Sequence, residues 1–169
     1  MNIKPIRLST TKRLLAASIC ALLFSNPSLA DLEDGRRFME QNQFEAAMDE
    51  FLPAAAAGNA DAQELIGVMY AMGLGVEKDD IRAFDWYLRA SIQGHPGAQS
   101  GIAWYYEVGR GIPSVDLIRA YTWYVLSAIG GDPDAAVSQR EIVKKMTPEQ
   151  IAQAKLLIAD YKAQLYPFR

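Results

Sequence analysis

Side chains that commonly perform chemistry are few in this chain of 169 residues, and they lie far apart. There is one histidine, His95, in a Gly-His-Pro-Gly segment, and one cysteine, Cys20, in a hydrophobic stretch near the N-terminus. A transition-metal site needs several such ligands close together, and a catalytic serine needs a histidine beside it. We therefore predict no catalytic residue, no metal site and no cofactor.

Two kinds of short motif suggest ligand-binding loops, and both lack essential residues. The segment 77–80 is rich in carboxylates, but a calcium loop needs alternating oxygen ligands around a central glycine. The Gly-x-Gly motifs at 73–75 and 109–111 follow helical patterns, and neither is followed by the Lys-Ser or Lys-Thr pair of a phosphate loop. We interpret all three segments as turns between helices.

The overall composition is that of a globular protein with a mildly acidic charge. Half of the residues are hydrophobic, which is too high a fraction for a disordered chain. The formal net charge is −3, from 17 lysines and arginines against 20 aspartates and glutamates. Phosphate backbones are bound by basic surfaces, so this balance argues against nucleic acid as the main partner.

Residues 1–30 have the three-part pattern of a secretory signal peptide. A basic segment precedes the apolar run Leu14–Phe24, and small residues follow at Ser28 and Ala30. The run is shorter than the ~20 residues that a membrane-spanning helix needs. We expect cleavage between Ala30 and Asp31 and export, to the periplasm in a bacterium, which removes the only cysteine.

The rest of the chain is organised by a period of 36 residues. Ala62, Gln63, Tyr70 and the Gly-x-Gly motif at 73–75 all recur 36 residues later. The following segments, Ala83–Gly94 and Ala120–Gly131, match with a spacing of 37. A weaker earlier copy places Ala47, Phe51, Ala54 and Gly58 at 36 residues before Ala83, Tyr87, Ala90 and Gly94.

Each unit is predicted to be a helix, a glycine turn and a second helix. In both helices the apolar residues recur at the three- and four-residue spacing of a buried helical stripe. Such a pair cannot bury its apolar face alone and must stack on its neighbours. The predicted structural positions are Ala62, Tyr70, Gly73, Gly75, Trp86, Tyr87, Ala98, Tyr106, Gly109, Gly111, Trp123 and Tyr124.

This pattern of Ala, Tyr, Gly-x-Gly and Ala-x2-Trp-Tyr resembles the Sel-one-like repeat (SLR) family, a relative of the tetratricopeptide repeat. The resemblance implies an all-α fold, a short right-handed α-solenoid of about three and a half repeats in which the first helices line the concave surface. The expected signal peptide is 1–30 and the solenoid domain 31–169. Its repeats are 31–60 (degenerate), 61–96 and 97–133, and the closing half-repeat and cap occupy 134–169.

The last segment is predicted to contain a closing helix. Thr147-Pro148-Glu149-Gln150 has the residue order of a helix start with a capping box. Ile151, Ala154, Ile158, Tyr161 and Leu165 then form one apolar stripe. We expect this helix to be the lid of the last repeat, with binding of a membrane surface as the alternative.

The candidate binding residues lie on the first helices, outside the core stripe. Trp104 lies 36 residues after Val68, in a position where the core does not require a large ring. Exposed aromatic side chains are common anchors of protein interfaces. We predict a partner-binding groove, and the alternative is that Trp104 packs on the neighbouring helix. The groove residues are Glu64, Val68, Met72, Ser100, Trp104, Glu107 and Val108.

The resemblance implies a protein–protein interaction module, and not an enzyme: an adaptor, regulator or inhibitor, including an immunity protein against a secreted toxin or an envelope assembly or signalling regulator. The expected partner is a protein with an apolar knob and a basic surround, without nucleic acid or stable membrane insertion. Two alternatives stay open, a peptidoglycan- or glycan-binding module and a weak hydrolase like the β-lactamase-like relatives. Those relatives are cysteine-rich, and this chain beyond residue 30 has no cysteine.

Overall fold

A computed structural model describes residues 29–166, and all the regular structure in that range is helical. The helices are α1 (Leu29–Glu40), α2 (Phe44–Ala56), α3 (Ala60–Met72), α4 (Asp80–Ser91), α5 (Pro96–Val108), α6 (Leu117–Gly130), α7 (Pro133–Val143) and α8 (Pro148–Leu165). No helix of the described range is long and apolar enough to span a bilayer. Most of the predicted signal peptide lies outside the described residues, and the expected cut after Ala30 falls in the first turn of α1, so export stays a prediction.

The helices form pairs that stack in chain order. α1 packs on α2, α3 on α4 and α5 on α6, and each second helix also packs on the first helix of the next pair. Consecutive first helices barely touch, as the few contacts between α3 and α5 show. This is the α-solenoid that the sequence predicts, and the degenerate first unit is a complete helix pair within it.

One aromatic ring per unit fills the space between the first helices. Phe51, Tyr87 and Tyr124 hold this position in α2, α4 and α6, and all three are buried. A Cβ atom on Gly67 of α3 would lie 3.1 Å from the Tyr87 ring, and one on Gly101 of α5 would lie 2.9 Å from it. The two glycines therefore make room for the ring between the helices.

Each first helix of the regular repeats ends at a glycine in the left-handed backbone conformation, which residues with a Cβ atom rarely adopt. Gly73 and Gly109 have φ angles of 73° and 72° and donate their amides to carbonyls of the preceding turn. The second glycine of each motif serves a different purpose. A Cβ atom on Gly75 would lie 2.7 Å from the backbone of Phe44 at the start of α2, and one on Gly111 would collide with the backbone of Asp80 at the start of α4.

The closing helix α8 begins as predicted and packs on the last full repeat. Thr147 and Gln150 form the complete capping box, with Pro148 in the first turn. Helix α8 packs on α6, the second helix of the last full repeat, and not on α7 of the closing half-repeat. The rings of Trp123 and Tyr161 lie 4.9 Å apart in this contact. The apolar stripe of α8 is thus buried against the outer face of α6, the second helix of the last full repeat.

Three predicted core aromatics are only partly buried. Trp86 lies at the border of the core with the Arg89 guanidinium 4.8 Å above its ring, and Tyr70 and Tyr106 carry arginines in the same way. The neighbouring Tyr105 is the ring that α5 buries almost completely. Trp86 and Trp123 occupy equivalent positions of their repeats, but only Trp123 has a helix packed over it.

Candidate binding groove on the first helices

The exposed apolar side chains of α3, α5 and α7 define what we call the first-helix groove: Met72, Trp104, Val108 and Val137. Met72 is 68% exposed and Trp104 is 41% exposed, so the predicted exposure of Trp104 is confirmed. Val137 is a groove residue that sequence reasoning missed. It lies 37 residues after Ser100, and this spacing is the signal that could have found it.

A depression of about 310 Å³ lies between α3 and α5 in this groove. Trp104 and Met72 stand at its side, and the rings of Tyr87 and Tyr105 contribute to its lining. The ring of Trp104 meets that of Tyr105 edge to face at 5.1 Å, which fixes its direction. The lining residues are Ala71, Met72, Lys78, Asp80, Tyr87, Gly101, Trp104 and Tyr105.

Of the predicted groove residues, the structure brings Met72 and Trp104 together in the depression and leaves the others beside it. Val108 is exposed one turn beyond Trp104. Val68 is partly buried and packs against the core, and Ser100 is partly buried on α5. The exposed apolar surface of the groove therefore lacks Val68 on α3 and gains Val137 on α7.

Glu107 is not a free carboxylate of the groove. Its Oε2 accepts a hydrogen bond of 2.9 Å from the Tyr124 hydroxyl, and its Oε1 lies 2.7 Å from Nζ of Lys145. Burial, followed by this hydrogen bond, raises the pKa of Tyr124, so the phenol stays protonated and donates. Glu107 thus links α5 to α6 and to the loop before α8, and both of its carboxylate oxygens have partners within the protein.

Glu64 belongs to a polar cluster at the other end of the groove. Burial raises the pKa of its carboxyl, and a Cβ atom on Gly97 would lie 3.4 Å from its Oε1. Beside it, Asp61 lies 3.3 Å from the guanidinium of Arg36 and 3.4 Å from Nε2 of His95. Glu64 is therefore partly buried and Glu107 is paired, while the expected basic surround of the partner stays a prediction.

His95 has a structural role that the sequence analysis did not predict. Its Nδ1 accepts a 3.1 Å hydrogen bond from the amide of Ala98, so His95 is the N-cap of α5. Asn59 and Asp132 cap α3 and α7 in the same way. Burial lowers the pKa of His95, although Asp61 acts in the opposite direction. The imidazole is thus held neutral, with Nδ1 as an acceptor.

The charge that remains in the depression is basic. The Asp80 carboxylate accepts a 3.2 Å hydrogen bond from the Tyr105 hydroxyl and lies 3.2 Å from Nε of Arg110. Lys78 also lines the depression, and the structure shows no ion pair to its ammonium group within residues 29–166. Among the same residues no group of three or more His, Cys, Asp or Glu side chains is placed to hold a metal ion.

The model of the Sel1 repeat matches residues 60–95 and 96–132, the two units that contain α3 to α6. Residues 60–132 are two Sel1 repeats. Sel1-repeat proteins generally mediate protein–protein interactions, and the family is mainly an interaction scaffold. The match agrees with the resemblance drawn from the repeated Ala, Tyr and Gly-x-Gly positions.

Two solved structures with Sel1 repeats have the same fold as this chain. A protective antigen of uropathogenic Escherichia coli strains, which displays an SLR fold, superposes with a TM-score of 0.77 at 27% identity, over 82% of this chain and 30% of that one. A Sel1 repeat protein from Oxalobacter formigenes gives a TM-score of 0.63 at 30% identity, over 77% of this chain and 55% of that one. The helices outside the matched repeats therefore belong to the same solenoid.

Two curated relatives match part of this chain. The chain is 32% identical over 74 residues to HRD3A, an ERAD-associated E3 ubiquitin-protein ligase component of Arabidopsis thaliana, and 46% identical over 46 residues to chitin synthase regulatory factor 3 of Schizosaccharomyces pombe. These matches span 11% and 5% of the two relatives. The chain therefore spans only a small part of each of these relatives.

Proposed function

We propose that this Sel1-repeat protein is an exported binding module that holds a segment of a partner protein in the first-helix groove. The observation that carries the proposal is the exposure of Trp104 beside the depression, one turn from Val108 and across from Met72. Water-exposed aromatic and methionine side chains in one concave site are typical of interfaces. The scaffold that presents them belongs to a family of interaction proteins.

Binding rather than catalysis fits the chemistry of the groove. The buried tyrosines Tyr87 and Tyr105 have pKa values raised mainly by burial, so they are protonated at neutral pH. Asp80 is engaged by Arg110 and Tyr105, and His95 by the amide of Ala98. These groups therefore support the shape of the groove and are not arranged as an acid–base pair. The role of the module, as an adaptor, regulator or inhibitor, follows from its partner.

The groove is tested by comparing Trp104→Ala with Leu156→Ala. The two side chains are both exposed, but Leu156 lies on α8, outside the groove, and is 70% exposed. Twelve-residue peptides are selected by display on the purified protein, and their dissociation constants are measured for each variant. Loss of an interface anchor costs about 2 kcal/mol, which is roughly thirtyfold in affinity.

We expect that loss for Trp104→Ala and an unchanged affinity for Leu156→Ala, with similar thermal unfolding of both variants. Equal affinities of the two variants would exclude the groove as the binding site. A lower melting temperature of Trp104→Ala, with full affinity per folded molecule, would show that the ring is needed for folding and not for the partner.

Export is tested by the intact mass of the protein recovered from the periplasm of a bacterial host. The expected mass corresponds to a chain that begins at Asp31. A retained N-terminus, or a lipid on Cys20, would contradict the predicted signal peptide. Export decides only the compartment in which the partner is bound. A negative result would therefore not affect the proposal that the groove is the binding site.

A further inference from the structure

The depression next to Trp104 has an unequal balance of charge. Two ionic groups line it, the Asp80 carboxylate and the Lys78 ammonium, both from the segment that leads into α4. The carboxylate is engaged twice, by Arg110 and by the Tyr105 hydroxyl. The ammonium has no ion pair within the described residues. The unmatched charge in the site is therefore positive, in a protein whose total charge is negative.

The carboxylates of Glu77 and Asp79, which flank Lys78 in the chain, do not line the depression beside Trp104. They line a second depression with Tyr70 and Arg82, which Lys78 also borders. Asp79 is further engaged as the N-cap of α4 and with the guanidinium of Arg82 at 3.3 Å. On the α7 side, Glu107 is paired with Lys145.

The shape of the depression indicates one large apolar side chain as its occupant. Gly101 leaves the Tyr87 ring open as part of the lining, because any side chain there would collide with that ring. The volume of about 310 Å³ is sufficient for a leucine or an aromatic ring with part of its backbone. Val108 and Val137 extend the apolar surface away from the depression, toward α7.

We infer that the partner segment carries a large apolar side chain next to one or more carboxylates, with the apolar group beside Trp104 and a carboxylate at Lys78. This inference rests on the proposed function, and it reverses the charge that the sequence predicts for the partner. Opposite charges at the rim of an interface raise the association rate and select among partners that share the apolar anchor. The ion pair is exposed to solvent, so added salt weakens it.

The experiment uses display selection of peptides on the full protein, on Lys78→Glu, and on the control Lys155→Glu. Lys155 is an exposed lysine of α8, outside the groove, so the control makes the same change of charge elsewhere. Peptides selected on the natural protein are expected to place Asp or Glu beside Leu, Phe or Trp. Lys78→Glu should weaken these peptides by roughly tenfold at low salt and should itself select Lys or Arg beside the apolar residue. Lys155→Glu should behave like the natural protein.

Two different failures are distinguishable. Enrichment of Lys or Arg on the natural protein, or an unchanged affinity in Lys78→Glu while Trp104→Ala loses binding, would overturn the inference and leave the groove as the binding site. Unchanged affinity in both Lys78→Glu and Trp104→Ala would overturn the proposed function as well.

Discussion

Helices α4 and α6 occupy the same position in two consecutive repeats, but their outer faces have different surroundings. The inner residues are equivalent, since Ala83 and Ala120 are both fully buried and Tyr87 and Tyr124 both fill the space between first helices. The outer face of α4 meets solvent, whereas that of α6 lies under α8. We call these the two outer stripes, which are Arg82, Asp85, Trp86, Arg89 and Gln93 in one repeat and Arg119, Thr122, Trp123, Leu126 and Gly130 in the next.

The difference between the stripes shows what the repeat specifies and what it leaves free. Asp85 and Arg89 are exposed, and their equivalents Thr122 and Leu126 are fully buried. Gly130 leaves room for Tyr166, because a Cβ atom there would lie 3.2 Å from the Tyr166 hydroxyl. The residues of the inner face are therefore the same in both repeats, whereas the residues of the outer stripe depend on whether another helix covers that stripe.

The largest effect is expected from replacing the covered tryptophan. Trp123→Ala should lower the free energy of unfolding by about 4 kcal/mol, because it leaves a cavity under Tyr161. Trp86→Ala should cost about 1 kcal/mol, since its ring is already partly in water beside Arg89. Denaturation in guanidinium chloride measures both. Equal losses of unfolding free energy would show that Trp86 is packed as tightly as Trp123 and that the two outer stripes do not differ.

A smaller effect on stability is expected when equivalent residues of the two outer stripes are exchanged, Thr122 of α6 for Asp85 of α4. Thr122→Asp should cost about 3 kcal/mol at neutral pH, because it buries a carboxylate under α8 without a partner. The loss should shrink as the pH falls and the carboxyl becomes neutral. The reverse change, Asp85→Thr, should stay within about 0.5 kcal/mol, as for most surface positions. A harmless Thr122→Asp would mean that α8 leaves α6 easily.

The hydrogen bond that anchors the end of α8 is expected to contribute less to the free energy of unfolding than the buried ring of Trp123. The Tyr166 hydroxyl donates to Oε1 of Gln99 at 3.1 Å, and Nε2 of Gln99 binds the carbonyl of Ser91. Tyr166→Phe should cost about 1–2 kcal/mol, because it leaves a buried oxygen without that donor. The control is Tyr161→Phe, because the Tyr161 hydroxyl makes no hydrogen bond among residues 29–166. Amide exchange in α8 is the measurement, and equal protection in both variants would exclude the anchor.

The smallest effect is expected at the N-cap of the first helices, where successive repeats carry Asn59, His95 and Asp132. Because the pKa of His95 is lowered in the folded protein, its capping contribution is complete above the unfolded pKa of about 6.5 and is lost as the pH falls through the folded value. His95→Asn places the residue of the preceding repeat in this position and should remove that dependence, worth about 1 kcal/mol. Thermal unfolding between pH 5 and 8 checks it. Parallel pH curves of the two proteins would contradict the capping role.

The period of the sequence was sufficient to predict the helix pairs, their stacking and the ends of the helices. These features depend on residues close together in the chain, such as Gly73 after α3 and Thr147 before α8. The placement of α8 could not be predicted from its own stripe, because an apolar face indicates burial without indicating the partner helix. The signal lay in α6, where Thr122 and Leu126 replace the charged residues of α4.

The candidate site was predictable in its apolar part and not in its charges. Trp104 and Met72 followed from the register of the repeat, since exposure depends on the helical face alone. The state of Glu107 depends on Lys145 and Tyr124, which are distant in sequence and reach it only in the folded chain. To predict the charge of a groove, the ion pairs and hydrogen bonds of the folded chain must be known. To predict its apolar wall, the repeat period is sufficient.

The close approach of Gly75 and Gly111 to the preceding second helices has a consequence for the evolution of the groove. Because backbone meets backbone there, the spacing between repeats is set at the glycine turns and not by the side chains of the first-helix groove. Residues of the groove are then free to change without altering the pitch of the solenoid. A single scaffold of this kind supports successive changes of partner while its frame stays the same.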